Sequence, residues 1–440
     1  MKMSRLFIFG SLFVLVIIFG GWFGLRFFIQ SDAFREWLGR RVGRSLHAEV
    51  KFEPLTWEGW TFRSASFSAI GTGKRKLRSL HMRNLTAHID WKQLLKGQLL
   101  VDLITADEAD AAFGKNRAPI PKPGPHPKEF AIKLPKFFHT EVKVEQVRVT
   151  SADIHWTTNR GENGQYTGFK LIVTRTGPDQ WDAITEGGAA QHATYPELQV
   201  EHVHALVSRD SITIAESKAA IYGGGNIEVT GKIATRKMLN AQLSADFSGI
   251  DANPLLPSVW RLGGRASGQL VYAGDLDRFE HGSVTGIVKI DDATLDLTNL
   301  FPTLRKLARF SGLKDVQIDS IQAHVQYKEQ QLDMSDIRAT SQDQIRVEGS
   351  CRITPDRLDG ELLLGLSPKI LGWIPGAEEK VFVDQRAGLR WAKVSISGSP
   401  ERPKEDLTQR LFAAFRDKMM KEFDGGTKDA VKSLLDLLRQ

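Results

Sequence analysis

Two patterns placed end to end restrict what this chain can fold into: an unbroken apolar run at the N-terminus, and behind it a long succession of short strand-like segments. Residues 6–25 are twenty uncharged side chains, mostly Leu, Ile, Val and Phe. A helix of that length crosses about 30 Å of hydrocarbon. A secretory signal is the competing reading, since Lys2 and Arg5 form a basic n-region, but its apolar stretch is shorter and ends in a small-x-small cleavage site. Here the run ends in Gly20-Gly21-Trp22-Phe23-Gly24, with bulky residues where cleavage wants small ones, so an uncleaved anchor is expected. Its orientation is contested by charge. Lys2 and Arg5 face a C-terminal flank carrying Arg26, Arg35, Arg40, Arg41 and Arg44, and the positive-inside count alone would leave the large domain in the cytosol. Export is favoured because a short basic N-terminus enters as a signal anchor and long domains translocate largely regardless of charge.

Composition narrows the class of the large region behind the anchor. With 440 residues, 41% hydrophobic and 25% charged, the chain is ordinary for a folded protein and not for a disordered one. The net charge is +7, yet Lys and Arg are scattered and form no basic arm or aromatic platform, which argues against nucleic acid. One cysteine, Cys351, excludes an internal disulfide framework and a Cys-rich zinc site, and is expected as a small apolar residue in a strand.

Past the anchor, Ser31 or Asp32 can cap a short helix with Phe34, Trp37, Leu38, Val42 and Leu46 at helical spacing and Arg35, Arg40, Arg41 and Arg44 mostly around the other side. Two readings stand: a basic helix lying on anionic headgroups or plugging an apolar entrance, and a core helix packed on the first strands. The period then changes to two. Residues 50–55, 60–70, 80–90 and 99–104 are strand-like, with 91–97 as a turn or one helical turn. Residues 118–135 carry Pro119, Pro121, Pro123, Pro125, Pro127 and Pro135, which remove donors and lock φ, so an extended connector and a domain boundary are expected there.

Strands resume at residue 137. Residues 142–156, 168–174, 198–207, 211–221, 225–233, 241–250, 266–273, 286–297, 316–318, 321–327, 331–340, 344–353, 358–366 and 392–397 are separated by Gly, Asp and Asn turns. Such spacing is that of a meandering antiparallel sheet. Ile227-x-Val229-x-Gly231-x-Ile233, followed by Leu239 and Leu243, is echoed by Ile345-x-Val347-x-Gly349-x-Cys351, followed by Leu358 and Leu362. This reads as repeated hairpins. Residues 300–313 form an amphipathic helix suited to covering a sheet face. From residue 405, Leu407, Leu411, Phe412, Phe415 and Met419 make an apolar stripe, and after Gly425-Gly426 come Val431, Leu434, Leu435 and Leu438. These C-terminal helices can pack back on the sheet or meet a partner or membrane.

No catalytic constellation is legible. The chain lacks the nucleophile elbow, the phosphate loop, H-E-x-x-H and paired C-x-x-C. Tyr222-Gly223-Gly224-Gly225-Asn226 lies between two strands and reads as a hairpin turn, not a phosphate cradle. His202-x-His204 puts two imidazoles on one strand face, where Glu201 cannot join them. Asp291-Asp292 sits in a turn without acid-base context, so nothing supports a glycosidase. The basic run Lys74-Arg75-Lys76-Leu77-Arg78, extended by His81 and Arg83, is either a headgroup contact or a solvated loop.

Three segments carry a family likeness: the anchor followed at once by a short helix and first strand (34–52); residues 225–233, 263–270 and 284–290; and the closing stretch 394–407. On their pattern and order the chain resembles the AsmA-like family of bacterial envelope proteins, the AsmA/TamB/YhdP group. The resemblance implies an elongated, curved antiparallel β-sheet, groove-like or taco-like, held at the inner membrane by an N-terminal transmembrane helix and projecting into the periplasm. It also implies that the apolar groove accommodates lipid acyl chains and serves phospholipid transport or outer-membrane homeostasis. This chain is short beside the largest members; twenty strands stacked at about 4.8 Å reach roughly 95 Å.

The expectations are therefore a mostly β, non-enzymatic, single-pass inner-membrane protein with a few amphipathic helices. Residues 1–30 form the cytoplasmic tip and anchor, 31–113 the juxtamembrane helix and first β-region, 114–136 the connector, 137–404 the AsmA-like β-region and 405–440 the C-terminal helices. Alternation makes Val142, Val144, Val284, Val288 and Ile290 candidates to line a lipid groove, although the same alternation fits a closed sandwich core. Arg40, Arg41, Arg44, Lys74, Arg75 and Lys76 are the candidate headgroup contacts. No catalytic, cofactor or metal residue is expected. The partners expected are membrane phospholipids and, through the C-terminal helices, other envelope proteins. A scaffold for outer-membrane protein assembly is the alternative, and a membrane-anchored hydrolase the remote one.

Overall fold

A computed structural model of the chain describes residues 30–73, 77–90, 92–93, 100–114, 143–158, 160–193, 196–221, 224–236, 239–253, 262–296, 315–342, 344–372 and 375–422. The anchor run 6–25, the amphipathic segment 300–313 and the tail from 423 lie outside these residues. Among the described residues, no helix is long and apolar enough to cross a membrane. The chain is mostly β and divides into two compact units, Met1–Ser217 and Lys218–Gln440.

The first unit opens on helix α1 (Asp32–Leu46). Ser31 caps it: its backbone is extended and its hydroxyl accepts from the Phe34 N–H at 3.3 Å, satisfying one of the donors a helix start leaves free. His47, at φ 54°, ends it and turns the chain back along its own helix. Strand β1 (Ala48–Phe52) lies directly beneath. A side chain at Gly39 would stand 2.8 Å from the Val50 carbonyl oxygen, and one at Gly43 would collide with that of Ala48, so two glycines one turn apart let the helix backbone rest on the strand. Phe34 is buried with Leu55 and Trp57, and Trp37 and Leu38 pack beside them. The apolar side of α1 is thus spent on the first strands, as the core-helix reading expects.

Strands β1 and β2 (Leu55–Glu58) both pair with β3 (Thr61–Gly71), with Glu53-Pro54 marking the interruption between them. Proline cannot donate to a ladder, which accounts for the break. Strand β3 pairs with β4 (Leu77–Ile89) and β4 with β5 (Leu100–Phe113), all antiparallel. Between β4 and β5, Asp90 Oδ1 accepts from the N–H groups of Lys92 (2.8 Å) and Gln93 (3.4 Å), the single helical turn that the sequence suggests.

The next pairing departs from the expected meander. Strand β6 (Lys143–Thr157) runs parallel to β5, in register from Leu100 opposite Lys143 to Phe113 opposite Trp156. Parallel neighbours need a connection of a dozen or more residues because the chain must return the whole length of the strand. The Pro-rich stretch between them, outside the described residues, supplies that length. Thereafter β6 pairs antiparallel with β7 (Asn163–Gly177); β7 pairs with β8 (Gln180–Glu186) and β9 (Ala189–His192), and both of these with β10 (Leu198–Ser208). Strand β11 (Ser211–Ile221) spans the division between the units.

The second unit is a long antiparallel meander: β12 (Gly225–Ala234), β13 (Asn240–Asp251), β14 (Leu262–Asp275), β15 (Ser283–Asp296), β16 (Asp315–Lys328), β17 (Gln331–Ser341), β18 (Ile345–Ile353) and β19 (Leu358–Leu366), each paired with the next. The segments 316–318 and 321–327, separate in the sequence pattern, are one strand, β16, in which Ser320 pairs with Asp291 and the Ser320 and Thr340 hydroxyls meet at 3.3 Å. After β19 come two one-turn helices, α2 (Pro368–Leu371) and α3 (Ala377–Lys380). Strand β21 (Leu389–Ser399) pairs with β19 and also with the short β20 (Asp384–Arg386) and β22 (Arg402–Glu405). Helix α4 (Leu407–Glu422) closes the described chain, its first turn held by the Glu405 carboxylate accepting from the Thr408 N–H at 2.8 Å.

Candidate functional site

Residues directly opposite on neighbouring strands share a face, so the registers reveal what each face is made of. In the second unit one row runs Val229, Ala245, Leu270, Gly286, Val325, Met334, Cys351, Gly360, Ile396 across nine strands. A second runs Gly231, Leu243, Tyr272, Val284, Tyr327, Leu332, Ile353, Leu358. No charged residue interrupts either. The Tyr272 hydroxyl is occupied within its own strand end, donating to the Asp275 carbonyl at 3.1 Å. The opposite face is mainly polar: Glu228, Asp246, Gln269, Ile287, His324 and Ser335 form one of its rows, and Val271, Ile287 and Leu363 are large apolar side chains exposed on it. Cross-strand ion pairs stud it, including Arg352 Nε with Asp333 at 2.6 Å and Lys393 Nζ with Glu361 at 2.8 Å. A shallow furrow of about 950 Å³ is lined by residues of the apolar row, Val325, Met334, Cys351 and Ile396, together with neighbours on the same strands such as His324, Asp333 and Arg352.

The first unit repeats the arrangement. Phe52, Phe67, Met82, Ala109, Ala152 and Phe169 form one row, continued through the parallel β5–β6 pair without loss of register. Ala69, Phe169 and Ala152 on this face are buried. Burial raises the Tyr166 pKa above its usual value, against the lowering effect of its 2.9 Å hydroxyl contact with Thr185.

Four of the five residues singled out as groove lining fall on these faces. Val144 lies opposite Val101 in the first unit; Val284, Val288 and Ile290 alternate along β15 in the second, and all four are half-buried. Val142 lies outside the described residues. Of the basic candidates, Arg40 and Arg44 are exposed on α1 and Arg41 is half-buried, while Lys74, Arg75 and Lys76 lie outside the described residues. The sequence reading overlooks most of the face, such as Leu243, Leu270 and Met334, although each sits at the alternate positions that would flag it.

Burial on the second unit's apolar face is uneven from β12 to β17: Ile250, Ala252 and Ala266 form one buried cluster and Leu262, Ala293, Ile318 and Ala339 another, while the row that starts at Val229 stays half-buried. At its other end the face is roofed. Leu366, Ala392 and Val394 of the sheet are buried together with Leu371 of α2, Ala377 of α3, Val381, Phe382, and Leu407, Leu411 and Ala414 of α4. Here the packing-back reading of the C-terminal stripe holds for residues 407–414. Ion pairs fasten the roof: Lys380 to Asp417 at 2.6 Å, Lys418 to Glu379 at 2.7 Å, and Arg390 to Glu378 at 3.1 Å. The Lys partners hold the Glu379 and Asp417 carboxyls below their usual pKa.

Two mid-strand glycines shape the face, and they are the two of the sequence echo. Gly231 has φ 139° and Gly349 φ 155°, a region essentially closed to other residues. A Cβ on Gly231 would collide with the Gln242 carbonyl oxygen, and one on Gly349 with that of Glu361. The echoed motif therefore marks two places where the following strand is drawn in against a bare backbone.

The remaining chemical candidates resolve into cross-strand pairs. His204 Nε2 lies 2.7 Å from Asp182, and His202 Nε2 lies 3.1 Å from Glu216, so the two imidazoles turn to different carboxylates. Among the described residues, no group of three His, Cys, Asp or Glu side chains comes together as a metal site. Cys351 stands in the apolar row between Met334 and Gly360, and burial, with the nearby Asp333 charge, pushes its thiol up to about 11. Comparison with protein-family models, with curated proteins and with solved structures finds no match.

Proposed function

We propose that this chain is an envelope protein of the AsmA-like kind, anchored in the bacterial inner membrane through residues 6–25. In this reading the large part lies in the periplasm, and its apolar sheet faces carry phospholipid acyl chains between membranes or in outer-membrane homeostasis. The observation that carries the reading is the uninterrupted apolar row of the second unit, which stays half-buried from Val229 to Ile396. An acyl chain is the ligand class that asks for such a surface, because it needs no hydrogen-bonding partner and gains about 0.8 kcal/mol for each CH2 removed from water. The polar row on the other side of the same strands suits an aqueous compartment.

The test compares the two faces of one strand. The full chain is expressed in a bacterial host, purified, and its co-purified phospholipid measured by mass spectrometry. Val288→Asp places a carboxylate on the apolar face and is expected to reduce retained lipid several-fold. Ile287→Asp, one residue away on the polar face, is expected to leave it unchanged. No phospholipid on the parent protein, or equal retention in both variants, defeats the reading.

A further inference from the structure

The turn between β2 and β3 carries an aromatic ring that stays outside the buried cluster beneath it. Glu58 pairs with Thr61, so the turn has two central residues, and Gly59, at φ 62°, takes the first of them, where hairpins favour glycine. No described atom stands within 4 Å of where a Gly59 Cβ would be, so the turn projects outward. Trp60, the second central residue, is 38% exposed although its backbone is pinned: its carbonyl accepts from the Ile89 N–H at 3.0 Å, at the end of β4. A fixed turn therefore holds the ring out. Other aromatics make the cluster below, where Phe34 and Trp57 are buried, Phe34 stacks with Trp37 at 5.5 Å and Trp57 with Phe62 at 5.6 Å.

An exposed apolar side chain by itself is ordinary on a protein surface. Position distinguishes Trp60. Phe34, in the first turn of α1, packs on Trp57 of β2, so the helix begins over the strand end that carries the turn. From Ser31 the chain leads back to the apolar run 6–25, and the six steps between residues 25 and 31 span at most roughly 21 Å. Ile70 is 51% exposed on the same strand, but it stands ten residues further on, about 33 Å away.

We infer that the β2–β3 turn is a membrane contact: Trp60 seats its ring in the headgroup region of the bilayer that holds residues 6–25, and β3 leads away from that surface. This placement rests on the anchor proposed above. An indole suits the interface because its body is apolar and its N–H end is polar. The span and the ring then make two contacts with one bilayer and set the tilt of the first unit, which a span alone would leave unset.

Depth-dependent quenching tests the contact. The full chain, in a Cys351→Ser background, carries one new cysteine at an exposed position, Glu58→Cys beside the ring or Ile70→Cys at the far end of β3. Glu58→Cys leaves Trp60 in place and gives up only the surface pair with Arg63 at 3.2 Å. Each protein is labelled with the fluorophore NBD and reconstituted into phosphatidylcholine and phosphatidylglycerol vesicles containing a phospholipid with a nitroxide high on its acyl chain. Quenching at residue 58 is expected to exceed that at residue 70 by about threefold or more, and adding Trp60→Ser is expected to lower it at residue 58 by about twofold or more. Equal quenching at the two positions overturns the inference. Quenching at residue 58 that Trp60→Ser leaves unchanged also overturns it, because the turn would then lie near the bilayer without the ring holding it there. Protein that fails to float with the vesicles in a density gradient defeats the anchor reading and this inference with it, whereas protein that floats with equal quenching at both positions defeats this inference alone.

Discussion

Gly349→Ala is the substitution whose cost the backbone geometry sets most directly. At φ 155° the residue occupies a region that side chains avoid, and an added Cβ would fall on the Glu361 carbonyl oxygen and stand 2.9 Å from the Leu362 Cα. Two costs combine. The backbone conformation itself costs roughly 1–3 kcal/mol for a non-glycine residue. Moving β19 away from β18 adds overpacking of about 1–3 kcal/mol, because the obstacle is backbone and cannot swing aside. Gly388 separates the two, since it has φ 75° but open space where its Cβ would go; Gly388→Ala should lose only the left-handed penalty, about 1–2 kcal/mol. For a unit of this size 1 kcal/mol moves Tm by roughly 2–4 °C. At the middle of these ranges, scanning calorimetry at a fixed scan rate should therefore show Gly349→Ala lower by about 12 °C and Gly388→Ala by about 4–5 °C. Gly231→Ala should behave like Gly349→Ala. Equal shifts for Gly349→Ala and Gly388→Ala would refute the claim that strand crowding, and not conformation alone, reserves these positions for glycine.

Phe382→Ala removes the most deeply buried ring of the roof and should destabilise the second unit by about 3–5 kcal/mol in denaturant unfolding; a loss below about 1 kcal/mol would mean the roof is not a packed core. Cys351, its thiol pushed up to about 11, should react with a maleimide far more slowly in the native protein than in guanidinium at pH 7.5, and equal rates would contradict its place in the apolar row. Glu379 and Asp417 titrate below their usual 4.5 and 3.8, so their contribution is present above those values and is lost as pH falls through the lower folded ones. Melting between pH 6 and pH 3 should accordingly fall less steeply in a Lys380→Ala, Lys418→Ala double variant than in the parent, and parallel curves would show that the roof pairs add nothing.

Local chemistry makes much of this molecule readable in advance. Ser31 announces α1 because a hydroxyl there can meet an N–H that nothing else in the helix can reach. The faces follow from parity: once a strand is recognised, Val284, Val288 and Ile290 must share a side whatever lies beside them. Strands β8 and β9 escape the sequence pattern because Pro178-Asp179 and Gly187-Gly188 on either side look like one long loop, whereas Asp179 at φ 55° makes a tight turn and the two glycines only a break between strands that share both neighbours.

What the sequence by itself determined is thus the alternation, the helix cap and the apolar character of one side of each strand, all of which depend on residues a few positions apart. Tertiary structure alone decided three other things. Strand β6 lies parallel to β5, a choice made by a partner across an intervening segment and invisible to periodicity. Gly231 and Gly349 are bare so that a carbonyl from the next strand can occupy the space, which no local pattern records. And the stripe of α4, which alternation left free to meet a sheet, a membrane or a partner, is buried at Leu407, Leu411 and Ala414 beneath its own unit. The physical reason is common to all three: an apolar residue specifies only that it must be covered, and what covers it is settled by which surfaces the rest of the chain brings within reach.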